Sequence, residues 1–168
     1  MQMLERLQNA LPEYSIQEIT SKEYDDVYTL QKDNIHYSEY TKQEVTLESI
    51  IEEIQELPPH TKANQKKFIG FYQNQKLQAI MDYVDGYPND EYYYIGLFMI
   101  DVHNQHQGIG THIIQTFKKL THRKIQLGCL SNNREGFAFW TKMGFKEIRI
   151  SYNQEYNWEI KVLECLNS

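Results

Sequence analysis

Residues 92–121 read YYYIGLFMIDVHNQHQGIGTHIIQTFKKLT, and this stretch decides the fold. Tyr92 to Ile100 is an apolar run rich in aromatic and β-branched residues, which predicts a buried strand. A polar turn follows, Asp101 to Gln107, then Gly108-Ile109-Gly110. Apolar residues at Ile109, Ile113, Ile114, Phe117 and Leu120 have helical spacing with one buried face. Strand, glycine-bearing loop and helix can build an anion site from backbone alone. The first N–H groups of a helix lack partners within it and carry a partial charge of about +0.5. Glycine leaves room for a phosphate to approach and permits positive φ. Residues 105–111 therefore read as a phosphate or pyrophosphate cradle, or as a plain strand–helix connection. Two other glycine motifs do not fit. The dinucleotide fingerprint wants a third glycine where Ile113 stands, and the P-loop wants Lys and Ser/Thr where Thr111 and His112 stand.

The chain has 168 residues, enough for one domain with a real core, and 40% hydrophobic with 24% charged residues is ordinary for a globular protein. Its net charge of −6 argues against a nucleic-acid partner, which would need a basic face, and is compatible with a cationic one. Two cysteines, Cys129 and Cys165, make no disulfide framework, so a reducing compartment is expected. No signal peptide and no apolar run near the ~20 residues of a membrane span is visible, so the expectation is a cytoplasmic protein without a membrane partner.

Outward from the central stretch, Met3–Leu11 predicts a short amphipathic helix stopped by Pro12, so residues 1–13 form a helical extension to a single domain over 14–168. Tyr14–Ile19 predicts a strand, Ser21–Asp33 a helix, and His36–Thr41 an aromatic-rich loop. Thr46 should cap a helix over Leu47–Leu57 whose apolar stripe is Leu47, Ile50, Ile51, Ile54 and Leu57. Lys67–Tyr72 and Leu77–Val84 predict a hairpin turning at residues 73–75. Beyond the central helix, Lys124–Leu130 predicts a strand. Asn132, with Glu135, should cap a helix ending at Gly144. Phe145–Ile150 and Tyr156–Leu163 predict a closing hairpin. The fold class is α/β, a mixed sheet with helices on both faces.

Two motifs now resemble the GNAT superfamily of N-acetyltransferases. The family's Arg/Gln-x-x-Gly-x-Gly/Ala stands here as Gln105-His106-Gln107-Gly108-Ile109-Gly110. Its Asn, small residue, aromatic pair and Gly-Phe stand as Asn133, Gly136, Phe139-Trp140 and Gly144-Phe145. The resemblance implies an acyl-CoA N-acyltransferase fold in which the fourth and fifth strands splay apart. It implies acetyl-CoA as co-substrate, its pyrophosphate cradled by the amides of Gln105, His106, Gln107, Gly108, Ile109, Gly110 and Thr111. The pantetheine arm would bond the strand edge at Phe98, Met99 and Ile100, with Asn133 reaching it and Phe139 and Trp140 walling its far end. For Asn133 the other reading is a helix cap, and for Phe139 and Trp140 plain core packing.

The reaction implied is direct attack of a primary amine, on a small molecule or a peptide, upon the acetyl carbonyl. Many family members carry a Tyr as general acid where this chain has Trp140. An indole N–H donates a hydrogen bond but not a proton at neutral pH. The family's base position on the fourth strand falls near Tyr94, which is no acid; Glu91 and Asp82 are the nearest carboxylates. Glu91, Tyr94 and Trp140 are thus the catalytic candidates. Tyr37, Tyr40, Tyr152 and Asp82 are candidates for an acceptor cage through cation–π and charge contacts. His103 and His106 share a loop without the partner set of a metal site, so no metal is expected. The tyrosine-rich central strand could serve a homodimer contact as well as a pocket. A non-catalytic acyl-CoA sensor and a nucleotide- or sugar-phosphate-binding protein remain as alternatives.

Overall fold

The computed structural model describes residues 1–166, so the last two positions of the expected domain lie outside the described residues. The chain runs through α1 (Met3–Ala10), β1 (Ser15–Glu18), α2 (Tyr24–Asp33), α3 (Ile35–Thr41), α4 (Leu47–Gln55), β2 (Lys66–Gln73), β3 (Lys76–Asp85) and β4 (Tyr92–Ile100). It continues through α5 (Ile109–Lys119), β5 (Lys124–Leu130), α6 (Arg134–Lys142), β6 (Lys146–Asn153) and β7 (Trp158–Cys165). The strands form one sheet in the order β1-β2-β3-β4-β5-β7-β6. Only β4 and β5 pair in parallel; the other neighbours are antiparallel. This is the mixed sheet expected from the element order, and α5 supplies the crossover a parallel pair requires.

Two apolar layers cover the sheet. One holds Ile113, Ile114 and Phe117 of α5, Tyr93 and Ile95 of β4, and Trp140 and Phe145. Met3 and Leu7 of α1, with Leu11 after it, are buried in the same layer, so the N-terminal helix is integrated with the rest of the core. The other layer holds Val27 and Leu30 of α2, Ile50 of α4 and Phe68, Ile80 and Met99 of the sheet. Burying side chains of this size contributes about 1.5–3 kcal/mol each, which is why the inward stripes of short helices suffice to dock them.

Several expectations change in detail. Residues 36–41, expected as a loop, belong to a seven-residue helix over Ile35–Thr41, closed by Lys42 at φ 56°. The α4 stripe is shorter than expected: Ile50 is buried and Ile54 packs on the same layer, but Leu47 at the start of the helix and Leu57 beyond its end at Gln55 are exposed. Thr46 caps α4, accepting from Ser49 N at 3.0 Å. The β2–β3 turn is Asn74-Gln75, both at positive φ (53° and 64°), which matches the twist of a two-residue hairpin. The cap of α6 is Asn133 and not Asn132, since Asn133 Oδ1 accepts from Gly136 N at 2.8 Å. The tyrosines of β4 are engaged within the molecule: Tyr93 is buried, Tyr92 donates to Glu164 at 2.6 Å, and Tyr94 packs edge-on against Tyr87. No helix among the described residues is long and apolar enough to cross a membrane.

Candidate active site

The glycine loop shapes one end of the site. Asp101 Oδ1 accepts from His103 N at 2.9 Å and starts the turn, and Gln105 Nε2 donates to Ile100 O at 3.0 Å and closes it. His106 (φ 64°) and Gly108 (φ 81°) are both left-handed, so the chain doubles back onto α5. No side chain caps α5, and His112 N, on Gly108 O at 3.0 Å, is the first amide to find a carbonyl of the helix's own start. The amides of Ile109, Gly110 and Thr111 are therefore presented at the helix mouth by geometry alone. A Cβ built on Gly108 would meet nothing within 4 Å, so the mouth is open space. These features fit a diphosphate: open room, uncapped amides and the positive end of a helix dipole.

The sheet opens beside that mouth. β4 and β5 pair only from Tyr92↔Lys124 to Ile95↔Leu127. From Gly96 to Ile100, β4 has no strand partner on that side among the described residues. A bulge makes the opening: Asp82 of β3 faces Leu97, but Tyr83 faces Ile95, so Gly96 is an extra residue. The extra residue reverses the alternation of β4. Tyr93 and Ile95 pack in the same layer as Phe98 and Ile100, while Leu97 and Met99 pack in the other.

Two cavities of about 550 Å³ each meet at this opening. One runs from the helix mouth along Phe98, Met99 and Ile100 and is lined by Gln105, His106, Gly108 to Thr111 and Lys142. The other lies between α3, α4, the sheet and β7, and is lined by Tyr37, Glu53, Lys66, Asp82, Tyr94, Gly96 and Trp158. Tyr40, Phe98, Asn133 and Trp140 line both. Helix α3 roofs the junction: Asn132 Nδ2 donates to Tyr40 O at 3.1 Å and Trp158 Nε1 donates to Thr41 O at 2.8 Å.

The second cavity holds a buried charge cluster. Lys66 Nζ lies 3.2 Å from Asp82 Oδ2 and donates to the carbonyls of Glu53 (2.5 Å) and Glu56 (2.6 Å). Glu53 accepts from Gln31 Nε2 (2.9 Å) and from the Tyr37 hydroxyl (3.0 Å). Asp82 Oδ1 is buried without a hydrogen-bond partner among the described residues. Burial pushes Glu53 up to about 7, with its two hydrogen bonds opposing, and Asp82 up to about 6, with Lys66 opposing. Burial also pushes the Tyr94 hydroxyl up to about 12, so it stays a phenol at neutral pH.

Of the catalytic candidates, Tyr94 and Trp140 line the second cavity. Glu91 does not join them. It is exposed in the turn before β4, where its N–H donates to Asn89 Oδ1 and its carbonyl accepts from Lys124 N. That is the paired end of β4, opposite the opening. Tyr37, Tyr40 and Asp82 line the second cavity, but Tyr152 is 68% exposed, donates to Glu159 and lines neither. Gln107 is exposed and lines neither cavity as well. Phe139 stacks on Phe98 and stands edge-on to Trp140, so it both packs and walls the first cavity. Sequence reasoning missed Glu53 and Lys66. Glu53 sits three residues after the buried Ile50, on the inward side of α4, and a carboxylate at such a position is a usable signal.

Comparison with known proteins agrees with this geometry. The family model described as "Acetyltransferase (GNAT) family" matches residues 17–145. No curated protein sequence matches the chain. An acetyltransferase from Thermus thermophilus superposes with a TM-score of 0.72 at 18% identity, covering 91% of this chain and 96% of that one. Ard1 from Thermoplasma volcanium gives 0.67 at 17% identity, covering 93% and 99%. An aminoglycoside 6'-N-acetyltransferase complexed with coenzyme A gives 0.63 at 12% identity, covering 92% and 97%.

Proposed function

Because the chain belongs to the GNAT acetyltransferase family, we propose that it moves an acetyl group from acetyl-CoA directly to a primary amine, on a small molecule or a peptide. The observation that carries this reading is the meeting of two cavities at the unpaired edge of β4. One leads to uncapped helix amides and the other to buried carboxylates, as a donor and an acceptor entering from opposite sides would require. The likeness to an aminoglycoside N-acetyltransferase complexed with coenzyme A supports the donor.

In this reading the amides of Ile109, Gly110 and Thr111 hold the pyrophosphate, and the open space at Gly108 admits it. The edge of β4 from Gly96 to Met99 offers the N–H and C=O groups that β5 leaves unpaired to the amides of the pantetheine arm. Asn133 lines both cavities while its side-chain oxygen caps α6, which places it to meet the pantetheine arm. Phe98 and Trp140 exclude water around the thioester, and a backbone N–H in the bulged part of β4 steadies the charge that develops on the carbonyl oxygen. Trp140 shapes the wall and gives up no proton. A coenzyme A thiolate with a pKa of about 8.5 leaves without an acid.

Titration with coenzyme A by calorimetry, followed by thiol release from acetyl-CoA across a panel of amines, tests the reading. Binding with amine-dependent thiol release supports it. Binding without release on any amine indicates an acyl-CoA sensor, and absence of binding removes the donor.

A further inference from the structure

We propose that Asp82 is the residue that takes the proton from the acceptor's ammonium group, an assignment that rests on the acetyl-transfer reading above. Half-buried Glu53 and buried Asp82 both line the second cavity, but they differ in which oxygens are free. Both oxygens of Glu53 are occupied, by Gln31 and by Tyr37. Asp82 spends only Oδ2, on Lys66, and its Oδ1 has no partner among the described residues. A buried acceptor without a partner is rare and needs a reason. Its position supplies one. Asp82 faces Leu97 across the bulge, packs on Gly96, and lines the cavity that also contains Phe98 and Trp140 of the junction.

Charge points the same way. The groups acting on Asp82 are Lys66 of β2, Glu53 of α4, Glu56 just beyond that helix and Tyr94 of β4, with Tyr37 of α3 and Tyr87 lining the same cavity. Lys66 faces an ionised Asp82 and a Glu53 that is about half ionised at neutral pH, so the cluster leans negative and favours a ligand ammonium. The class of acceptor is therefore a cationic alkylamine that enters protonated. Burial holds Asp82 near 6, ionised at neutral pH yet more basic than an ordinary carboxylate.

In the transfer, an N–H bond of the ammonium breaks and an O–H bond forms on Asp82. The freed nitrogen pair forms the C–N bond at the thioester carbonyl, the C–S bond breaks, and its electron pair leaves with sulfur. The second nitrogen proton passes to the thiolate, and Asp82 returns its proton to water. The sum is ammonium plus thioester giving amide, thiol and one proton.

The test is the pH profile of kcat/KM for Asp82→Asn against the unsubstituted chain, with n-butylamine, spermidine, phenethylamine and a lysine-containing peptide as acceptors. The unsubstituted chain should lose activity below about pH 6 and be flat from about pH 7 to 9. Asp82→Asn should fall roughly 100-fold at pH 7. It should then rise about tenfold per pH unit as neutral amine accumulates toward its pKa of ~10.4. Its coenzyme A affinity should not change. A variant profile parallel to that of the unsubstituted chain overturns the assignment alone. An unsubstituted chain that binds coenzyme A but acetylates none of the four amines overturns both readings. If Asp82→Asn does not fold, Asp82→Glu should keep the flat region at a lower rate, and a profile rising throughout would overturn the assignment.

Discussion

Asp82 and Gly96 fit one another: a Cβ built on Gly96 would lie 3.1 Å from Asp82 Oδ2 and 3.3 Å from Oδ1. The carboxylate cannot simply swing aside, because Lys66 holds Oδ2 at 3.2 Å. Either the bulge or the ion pair must give. Gly96→Ala should therefore destabilise the fold by about 1 kcal/mol and Gly96→Val by about 2–3 kcal/mol, as overpacking does. Denaturant midpoints measure this, and a Gly96→Val protein as stable as the parent would show that the two residues are not fitted.

At the helix mouth the prediction separates stability from binding. Gly108→Asp places a carboxylate at the N-cap of α5, a position where Asp caps well. It also imposes a side chain on φ 81°, at a cost of about 1–2 kcal/mol. Asp caps better than glycine by only a few tenths of a kcal/mol, so stability should fall modestly, by about 1–2 kcal/mol. Coenzyme A affinity should fall at least ~100-fold, because the new carboxylate takes the amides and repels the phosphates. Calorimetry and thermal melts on the same preparation check both halves.

Lys66 is the hinge of the buried cluster. Its ammonium serves Asp82 and two carbonyls at once, Glu53 in α4 and Glu56 just after it, with only 6% of its side chain exposed. Removing one partner of such a pair leaves an uncompensated charge, and Lys66→Met should cost about 3–5 kcal/mol. The double variant with Asp82→Leu should recover part of that loss. A denaturant double-mutant cycle measures the recovery.

Stability should also carry the mark of Glu53. Its folded value near 7 lies above the roughly 4.3 of an unfolded chain, because burial outweighs its hydrogen bonds. The folded form then holds the proton more tightly. The contribution is full below about pH 4 and is lost as pH rises through 7. Between pH 5 and 8.5 the unsubstituted chain should lose about 2–3 kcal/mol relative to Glu53→Gln. Paired melts across that range check the sign; the unsubstituted chain gaining on the variant as pH rises would refute it.

The parts of this molecule that were readable in the sequence are those set by local chemistry. The apolar run Tyr92–Ile100, the loop ending at Gly108 and the stripe Ile113–Ile114–Phe117 each fold as their spacing dictates. Gly144 at φ 98° ends α6 as a glycine after a helix should. What escaped depends on contacts across the chain. Helix α3 has no clear stripe in its seven residues and is held by Asn132 and Trp158, 92 and 117 positions from their partners. Glu53 reads as a surface acid until Gln31 and Tyr37 are brought to it. Gly96 hid inside an apolar run, although an isolated glycine in a strand is a recognised sign of a bulge. Glu91 reads as near the chemistry only because counting along a strand cannot show at which end the sheet opens.

The most direct measurement is an amide NMR titration of the ¹⁵N-labelled protein with coenzyme A. The largest shifts should fall on residues 108–111 at the mouth of α5 and on 97–100 along the free edge of β4, with Asn133 following. Shifts confined to another face, leaving both of those segments in place, would contradict the placement of the donor.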